Sequence, residues 1–325
     1  MRRGNLAAFL DFAPAEESFR DAILAGLSRP MKAIPCRFLY DARGSKIFEA
    51  ICELPEYYVT RTELALLAER AAEMAALIGP RCQLVEFGSG ASRKVRLLLD
   101  ALVEPAAYVP VDISADFLRE AASLVAADFP DLKVTAICAD YMEPRFLPAF
   151  PVAHEGTRVG FFPGSTIGNL TPAEAVAFLS GCHQALGPRG AMVVGVDLKK
   201  DPALLHAAYN DAAGVTADFT LNLLVRANRE LEADFDLGRF RHEAFYNAEA
   251  GRIEIYIESL IDQIVTVAGR RIRFGARERI HAEYSYKYTI GEFQALAARA
   301  GFHARACWTD AAPCFSVHYL TVAAE

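Results

Sequence analysis

The sequence predicts an α/β protein with a parallel central sheet and a second domain of α+β type. Between residues 83 and 196, short apolar segments typical of strands alternate with longer amphipathic segments typical of helices. This alternation produces right-handed βαβ units and therefore parallel strands. After Asp197 it gives way to a long helical stretch and then to segments of period two, typical of antiparallel hairpins. The change of pattern marks the second domain.

The elements follow in order along the chain. The sheet is predicted from strands at 83–87, 107–111, 133–138, 158–162 and 191–196, with helices at 93–102, 116–127 and 172–186. The next segment is predicted as a helix at 201–229, bent at Gly214, and hairpin strands at 239–246, 252–261, 270–274 and 277–286. A helix at 290–300 and a strand pair at 303–308 and 316–323 return to the first pattern. We therefore assign 62–198 and 287–325 to the sheet domain, and 1–61 and 199–286 to the second domain.

Composition argues against several classes of protein. The 325 residues are 53% hydrophobic and 23% charged, as in globular proteins. A net charge of −7 with scattered basic residues does not favour binding to nucleic acid, and no apolar window is long enough for a membrane span. Seven cysteines, an odd number without Cys-x-x-Cys spacing, are typical of a reduced, cytoplasmic protein.

Motifs for other chemistries are missing from the sequence. The seven histidines show neither His-x-x-x-His nor His-Glu-x-x-His spacing, so no metal site is predicted. Neither the Gly-x-Ser-x-Gly turn of serine hydrolases nor a Walker A sequence occurs. We expect a monomer whose partner is a small molecule.

Four turns lie at the carboxyl ends of predicted strands, where parallel sheets bind ligands. They contain Gly88, Asp112, Asp140 and Gly164. A Gly-x-Gly turn lets backbone N–H groups approach a nucleotide-like ligand, and an acidic residue after the next strand can hold a ribose diol. Arg93 stands where the dinucleotide fingerprint has its third glycine. This favours an adenosine without a pyrophosphate, and hence S-adenosylmethionine.

The same residues also fit structural roles. The two glycines would suit any tight strand-to-helix turn. Asp112 would suit the N-cap of the following helix, and Asp140 a turn. A nicotinamide dehydrogenase therefore stays open as an alternative at this point.

Five segments, in order, resemble the bacterial L-histidine Nα-methyltransferases of ergothioneine biosynthesis. They are Tyr40–Ser45, Leu54–Glu63, Glu86–Ser92, Phe162–Asn169 and Glu283–Lys287. The resemblance runs from about Arg37 to the C-terminus. It implies a class I, Rossmann-like methyltransferase fold that uses S-adenosylmethionine, with a substrate domain built from the N-terminal segment and the insertion. It also implies trimethylation of the α-amine of L-histidine to hercynine.

The resemblance assigns cofactor contacts to residues of the sheet domain. Gly88 and Lys94 would lie by the methionine part, Asp112 on the ribose, and Asp140 and Tyr141 beside the adenine. A carboxylate can accept hydrogen bonds from both ribose hydroxyls, or from an adenine amino group. The same cofactor site would include Ser89, Gly90 and Gly164.

Substrate contacts follow from the resemblance in the same way. Tyr57, Asn169 and Tyr209 would surround the amino and carboxylate groups, with Tyr40 close to the amine; Tyr40, Tyr57 and Asn169 are the expected catalytic residues. Glu283 and Ser285 would hold the imidazole, because residues i and i+2 of a strand face the same side. Structural roles remain open here too. The tyrosines also suit the core, Asn169 a turn cap, and Glu283-x-Ser285 an exposed strand face.

Ile255 departs from the family pattern. It stands where the best-known members of the family have a methionine beside the imidazole. A branched aliphatic side chain changes the shape of the pocket and removes none of its polar groups. Tryptophan or another aromatic amino acid is therefore an alternative substrate. A non-catalytic S-adenosylmethionine-binding regulator is a second alternative, although Tyr57, Asn169 and Glu283 are all retained.

Overall fold

The computed structural model describes residues 6–12, 18–90, 92–142 and 156–322. The strands are β1 Leu6–Asp11, β2 Lys32–Ala33, β3 Gln83–Phe87, β4 Ala107–Asp112, β5 Val134–Cys138, β6 Arg158–Phe162, β7 Ala191–Asp197, β8 Phe240–Asn247, β9 Arg252–Ser259, β10 Gln263–Val267, β11 Arg270–Phe274, β12 Arg279–Tyr286, β13 Phe302–Thr309 and β14 Phe315–Val322. The helices are α1 Phe19–Leu27, α2 Ala42–Cys52, α3 Tyr58–Ile78, α4 Arg93–Ala101, α5 Ala115–Asp128, α6 Pro172–Leu186, α7 Pro202–Tyr209, α8 Val215–Leu231 and α9 Ile290–Arg299. Short 3-10 helices lie at Cys36–Leu39, Thr166–Asn169 and Leu237–Arg239.

The described residues divide into two compact units. Unit 1 lies within Met1–Ala15, Arg61–Leu198 and Tyr288–Glu325, and unit 2 within Glu16–Thr60 and Lys199–Lys287. Which ligand each unit serves stays a prediction.

Unit 1 is built on one sheet with the order β1-β5-β4-β3-β6-β7-β14-β13. Neighbouring strands pair in parallel except at β14, which runs antiparallel to both β7 and β13, so β13 at the edge has the same direction as the remaining strands. Every residue of the central strands β6 and β7 is buried, and only Arg158 at the start of β6 and Asp197 at the end of β7 are charged. The chain order reverses at β3, whose two neighbours are β4 and β6. The turns after β3, β4 and β6 therefore lie at a topological switch point.

The N-terminal strand corrects one predicted boundary. The sequence assigned residues 1–61 to the second domain, yet β1 pairs in parallel with β5 and extends the sheet of unit 1. Phe12 continues this pairing, because its N–H donates to the Cys138 carbonyl at 3.0 Å. The short apolar segment reveals no partner by itself, and only the distant strand β5 defines its place.

The prediction of one long helix at 201–229 is wrong in detail. It is two helices, α7 and α8, separated at 210–214. Asp211, three residues before the N-cap Gly214, accepts hydrogen bonds from the Val215 and Thr216 N–H groups at the start of α8, both at 2.8 Å. Gly214 adopts φ +75°, a left-handed conformation that a right-handed helix cannot contain, so the helix is interrupted here. The break leaves Tyr209 as the last residue of α7.

The core of unit 2 lies on a four-stranded sheet of order β2-β12-β9-β8. The hairpins were expected, but β10, which pairs with β11 in a separate two-stranded sheet, was not. The β12–β9 ladder shifts register between His281 and Glu283. Such a bulge places an extra residue on one strand and re-aims the following side chain. Glu283 therefore stands directly opposite Ile255.

Three further observations concern the described residues alone. No helix there is both long and apolar enough to cross a membrane. The seven cysteines form no disulfide with one another. No group of three or more histidine, cysteine, aspartate or glutamate side chains is arranged to hold a metal ion within those ranges.

Gly195 provides a test of the packing of unit 1. A Cβ atom on this β7 residue would lie 2.0 Å from Glu63 Oε1 and 3.1 Å from Phe315 Cζ. We expect Gly195→Ala to lower the free energy of unfolding by about 1–3 kcal/mol, as overpacked cores do. The control is Gly291→Ala, where no neighbouring heavy atom lies within 4 Å of the added Cβ. Urea unfolding of both variants tests this, and equal midpoints would contradict the packing described.

Candidate functional site

The turn after β3 leaves its backbone open to a ligand. Gly88 adopts φ +73° and Gly90 φ +44°, conformations that favour glycine. A Cβ atom on Gly88 would lie 3.5 Å from Cε1 of Tyr141. Ser89, between the two glycines, is buried, and its Oγ has no hydrogen-bond partner among the described residues. A buried hydroxyl without a partner is costly, so this turn fits a ligand that hydrogen-bonds to Ser89.

Asp112 ends β4 with its carboxylate facing this turn. Burial raises the pKa of Asp112, and the N–H groups of Ser114, Ile113, Gly90 and Ser89 oppose that shift. Ser114 N–H donates to Oδ1 at 3.0 Å. The N-cap position of α5 is occupied by Ser114, so Asp112 is not the capping residue. A carboxylate beside a Gly-x-Gly turn is the arrangement that ribose recognition requires.

Asp140 and Tyr141 follow β5. Asp140 Oδ1 accepts a hydrogen bond from Met142 N–H at 2.9 Å, so it does stabilise a turn, as the structural alternative supposed. This bond uses one carboxylate oxygen and leaves further acceptor capacity. The Tyr141 ring packs edge-on against Phe162 and Phe178, with centroids 5.8 and 6.0 Å away. These contacts hold the ring on the Gly88 side of the sheet.

A buried carboxylate joins two of the predicted cofactor residues. Glu63, on α3, is 1% exposed and forms an ion pair with Lys94 at 2.6 Å. It also accepts the Gly164 N–H at 2.9 Å. Glu63 was not predicted as a site residue, although its spacing from the buried Leu66 and Leu67 puts a charge on the apolar face of the helix. An ammonium has three donors, so Lys94 can bind a second carboxylate besides Glu63.

Asn169 also belongs to unit 1. It ends the 3-10 helix Thr166–Asn169, next to the turn at Gly164. The following helix α6 is capped by Thr171, which forms a capping box with Glu174. The N-cap of this helix is therefore Thr171, and the binding and turn-cap roles of Asn169 both stay open.

Unit 2 brings together the remaining predicted substrate residues. Tyr57 and Tyr209 are both buried, with ring centroids 6.2 Å apart. Burial, and then the neighbouring Tyr209, Cys52, Tyr40 and Glu283, raise the pKa of Tyr57 well above its ordinary value. Tyr57 therefore keeps its proton. Tyr40 is more exposed, and its ring packs edge-on against Phe48 and Phe219.

Glu283 and Ser285 share the inner face of β12. They are 9% and 4% exposed, so the exposed-face interpretation is wrong. The Ser285 hydroxyl lies 2.9 Å from the Tyr209 hydroxyl. Burial raises the pKa of Glu283 to about 7, opposed by the charge of Lys287. Ile255, also buried, faces Glu283 across the ladder.

Lys287 is the second residue that sequence reasoning missed. It is 2% exposed and donates hydrogen bonds to Tyr209 and Ser285. The sequence feature that could have indicated its role is its spacing. Glu283, Ser285 and Lys287 occupy alternate positions, which places them on one face of an extended strand.

The sheet order, the glycine turn after β3 and the acidic residue at the end of β4 define a class I, S-adenosylmethionine-dependent methyltransferase. Residues 19–322 match the family described as "Histidine-specific methyltransferase, SAM-dependent". The chain belongs to this family, and both the predicted fold class and the predicted cofactor are confirmed. The nicotinamide alternative is thereby excluded.

Three relatives illustrate the similarity. The chain is 42% identical to the histidine N-alpha-methyltransferase of Mycolicibacterium smegmatis, over 96% of this chain and 98% of that one. It is 38% identical to the enzyme of the same name from Mycobacterium tuberculosis, over 92% and 94%. It is 34% identical to ergothioneine biosynthesis protein 1 of Neurospora crassa, over 86% of this chain and 32% of that longer protein.

Removal of the Asp112 carboxylate tests the cofactor side. We expect Asp112→Ala to weaken S-adenosylmethionine binding by about 1.5–3 kcal/mol, because charge-assisted hydrogen bonds are lost. Calorimetric titration measures the affinity. Asp131→Ala, at an exposed position of the same unit, is the control. Equal affinities for both variants would place the ribose elsewhere.

The raised pKa of Glu283 predicts a dependence of stability on pH. Between pH 4.5 and about 7, the folded protein retains a proton that the unfolded chain releases, so stability falls as pH rises through this window. Glu283→Gln removes this cost, and should stabilise the protein by about 2–3 kcal/mol more at pH 8 than at pH 4.5.

Thermal unfolding at the two pH values measures the difference. Glu249→Gln, at an exposed position of unit 2, should show none. A uniform effect of Glu283→Gln at both pH values would show that the Glu283 carboxyl is solvated.

Proposed function

We propose that this methyltransferase acts on the α-amine of L-histidine, adding three methyl groups to give hercynine for ergothioneine biosynthesis. The observation that carries the proposal is the buried polar set of unit 2. Glu283 offers a carboxylate acceptor, and Ser285, on the same face of β12, has its hydroxyl 2.9 Å from the Tyr209 hydroxyl. An imidazole presents one N–H donor and one nitrogen acceptor, which this set complements. The names of the relatives support the same substrate.

S-adenosylmethionine supplies an activated methyl group, so the protein mainly has to bind and orient the amine. In this proposal Gly88, Ser89, Gly90, Lys94 and Asp112 hold the cofactor, with Asp140, Tyr141 and Gly164 beside them. The serine hydroxyl without a partner and the open glycine turn support this fit. Positioning alone can supply several kcal/mol of rate enhancement.

The amine must be neutral to attack. A free α-amino group has a pKa of roughly 7.7–8.0, and a nearby positive charge lowers it further, so no strong base is required. The raised pKa of Tyr57 agrees, since a tyrosine that keeps its proton orients an amine by hydrogen bonding and does not remove protons. Tyr40 and Tyr57 would direct the lone pair, and Asn169 would anchor the amine or carboxylate.

Three successive transfers require that the amine rotates while the rest of the amino acid stays bound. Glu283 and Ser285 serve this purpose if they hold the ring, because their positions are fixed by the β12–β9 ladder. A tryptophan ring offers no acceptor nitrogen to Ser285 and is larger. Such a ring would also have to desolvate the carboxylate, which favours histidine even with Ile255 in the pocket.

We also propose a cytoplasmic, monomeric enzyme. The cysteines form no disulfide with one another in the described part of the chain, which is typical of reducing compartments.

Product analysis tests the proposal. Wild-type protein incubated with excess S-adenosylmethionine and a panel of amino acids should convert L-histidine successively to its mono-, di- and trimethyl forms. Fragmentation in the mass spectrometer should locate every methyl group on the α-nitrogen. Faster methylation of tryptophan, or a methyl group on the imidazole, would contradict the assignment. The absence of product from every amino acid would favour a non-catalytic binding role.

A further inference from the structure

Lys287 is an unusual residue for the interior of a protein. It follows β12 directly, and its side chain is 2% exposed. Its backbone N–H donates to the Gly251 carbonyl at 2.8 Å, which fixes the chain at this point. Burying an ammonium is costly unless hydrogen bonds and opposite charge compensate for the lost water. The groups that compensate here are residues of the proposed substrate site.

The ammonium and two hydroxyls form a closed triangle. Lys287 Nζ donates to Tyr209 Oη at 2.8 Å and to Ser285 Oγ at 2.7 Å, and the two hydroxyl oxygens lie 2.9 Å apart. Since an ammonium only donates, each hydroxyl accepts from Lys287. One hydroxyl hydrogen is used between Tyr209 and Ser285. The lysine therefore constrains where both hydroxyls sit and how their hydrogens and lone pairs point.

Lys287 also acts on Glu283, four residues earlier on the same strand face. Its positive charge opposes the burial that disfavours the carboxylate, so it lowers the pKa of Glu283. Among the described residues, the other titratable group with an electrostatic effect that involves Glu283 is Tyr57, whose raised pKa is partly due to this carboxyl group. Tyr57 is uncharged at neutral pH, so Lys287 is the cation that favours the anionic form of Glu283.

We propose that Lys287 is a positioning residue for recognition of the amino acid's ring, orienting the Ser285 and Tyr209 hydroxyls and supplying the charge opposite Glu283. This inference rests on the proposed function, in which Glu283 and Ser285 hold the imidazole. The inference extends that proposal by one residue, because Lys287 contacts the residues that would touch the substrate. The specificity of the site then depends on a buried charge behind its surface.

The decisive variant is Lys287→Met, which keeps an unbranched side chain only one atom shorter and removes its charge and donors. We expect KM for histidine to rise roughly tenfold or more, because oriented hydrogen bonds to the ring are lost. The Kd of S-adenosylmethionine, measured without amino acid, should change less than about twofold, since its proposed contacts lie in unit 1.

The pH dependence separates orientation from charge. In the wild type, histidine binding should strengthen as Glu283 ionises, and Lys287→Met should move this transition to higher pH. Lys287→Gln retains N–H donors without the charge, so it should recover part of the KM and keep the shifted transition. Lys46→Met, at an exposed lysine of the same unit, should match the wild type in both measurements.

Several results would overturn the inference. An unchanged KM and pH transition in a folded Lys287→Met protein would show that the lysine only packs in the core. Loss of folding in both variants would assign it to the structure of unit 2 alone. If the wild type binds histidine without methylating it, the proposed function fails, and histidine titrations of the same variants still decide the role of Lys287.

Discussion

The burial of opposite charges beside the proposed ligand-binding turns and strands is the constraint on which both units depend. In unit 1, Glu63 lies among apolar side chains of α3 and is balanced by Lys94 and the Gly164 N–H. In unit 2, Lys287 is buried and is balanced by two hydroxyls and by Glu283. Removing one member of such a set leaves an uncompensated buried charge, which costs several kcal/mol. Each arrangement is therefore held in one geometry.

This constraint explains why the proposed binding residues carry a cost in stability. Burial raises the pKa of Glu283 to about 7, so keeping this carboxylate ionised is costly, and Ser89 leaves a buried hydroxyl without a partner in the described structure. Proteins commonly keep such costs at binding sites, where the ligand provides the missing interaction. Sites built from hydrogen-bonding groups also reject analogues that lack the matching group more strongly than apolar pockets do.

Much of the sheet could be predicted from the sequence, since its strands are short apolar runs between helices. The strand at 158–162 and the helix at 172–186 begin and end where the pattern indicates. The glycine turn, Asp112 and Gly164 could be placed at strand ends for the same reason. Local patterns carry this information because each element's periodicity reflects its own burial.

The remaining features depend on contacts distant in sequence. The strand at 6–11 is defined only by its pairing with 134–138, and Glu63 only by the lysine and turn that meet it. The bulge that turns Glu283 toward Ile255 arises from the register of two strands, which no single segment specifies. Lys287 ends the segment Glu283–Lys287, and its burial depends on the surrounding fold.

The central claim is that buried polar groups of unit 2 recognise the nitrogens of an imidazole. It is tested most directly by comparing kcat/KM for L-histidine with that for thienylalanine, whose five-membered ring has no nitrogen. The account predicts a preference for histidine of roughly a hundredfold or more, as for sites that hydrogen-bond their substrate. Ser285→Ala should reduce that preference. Equal kcat/KM values for the two amino acids would show that the site recognises only the shape of the ring, and would contradict the account.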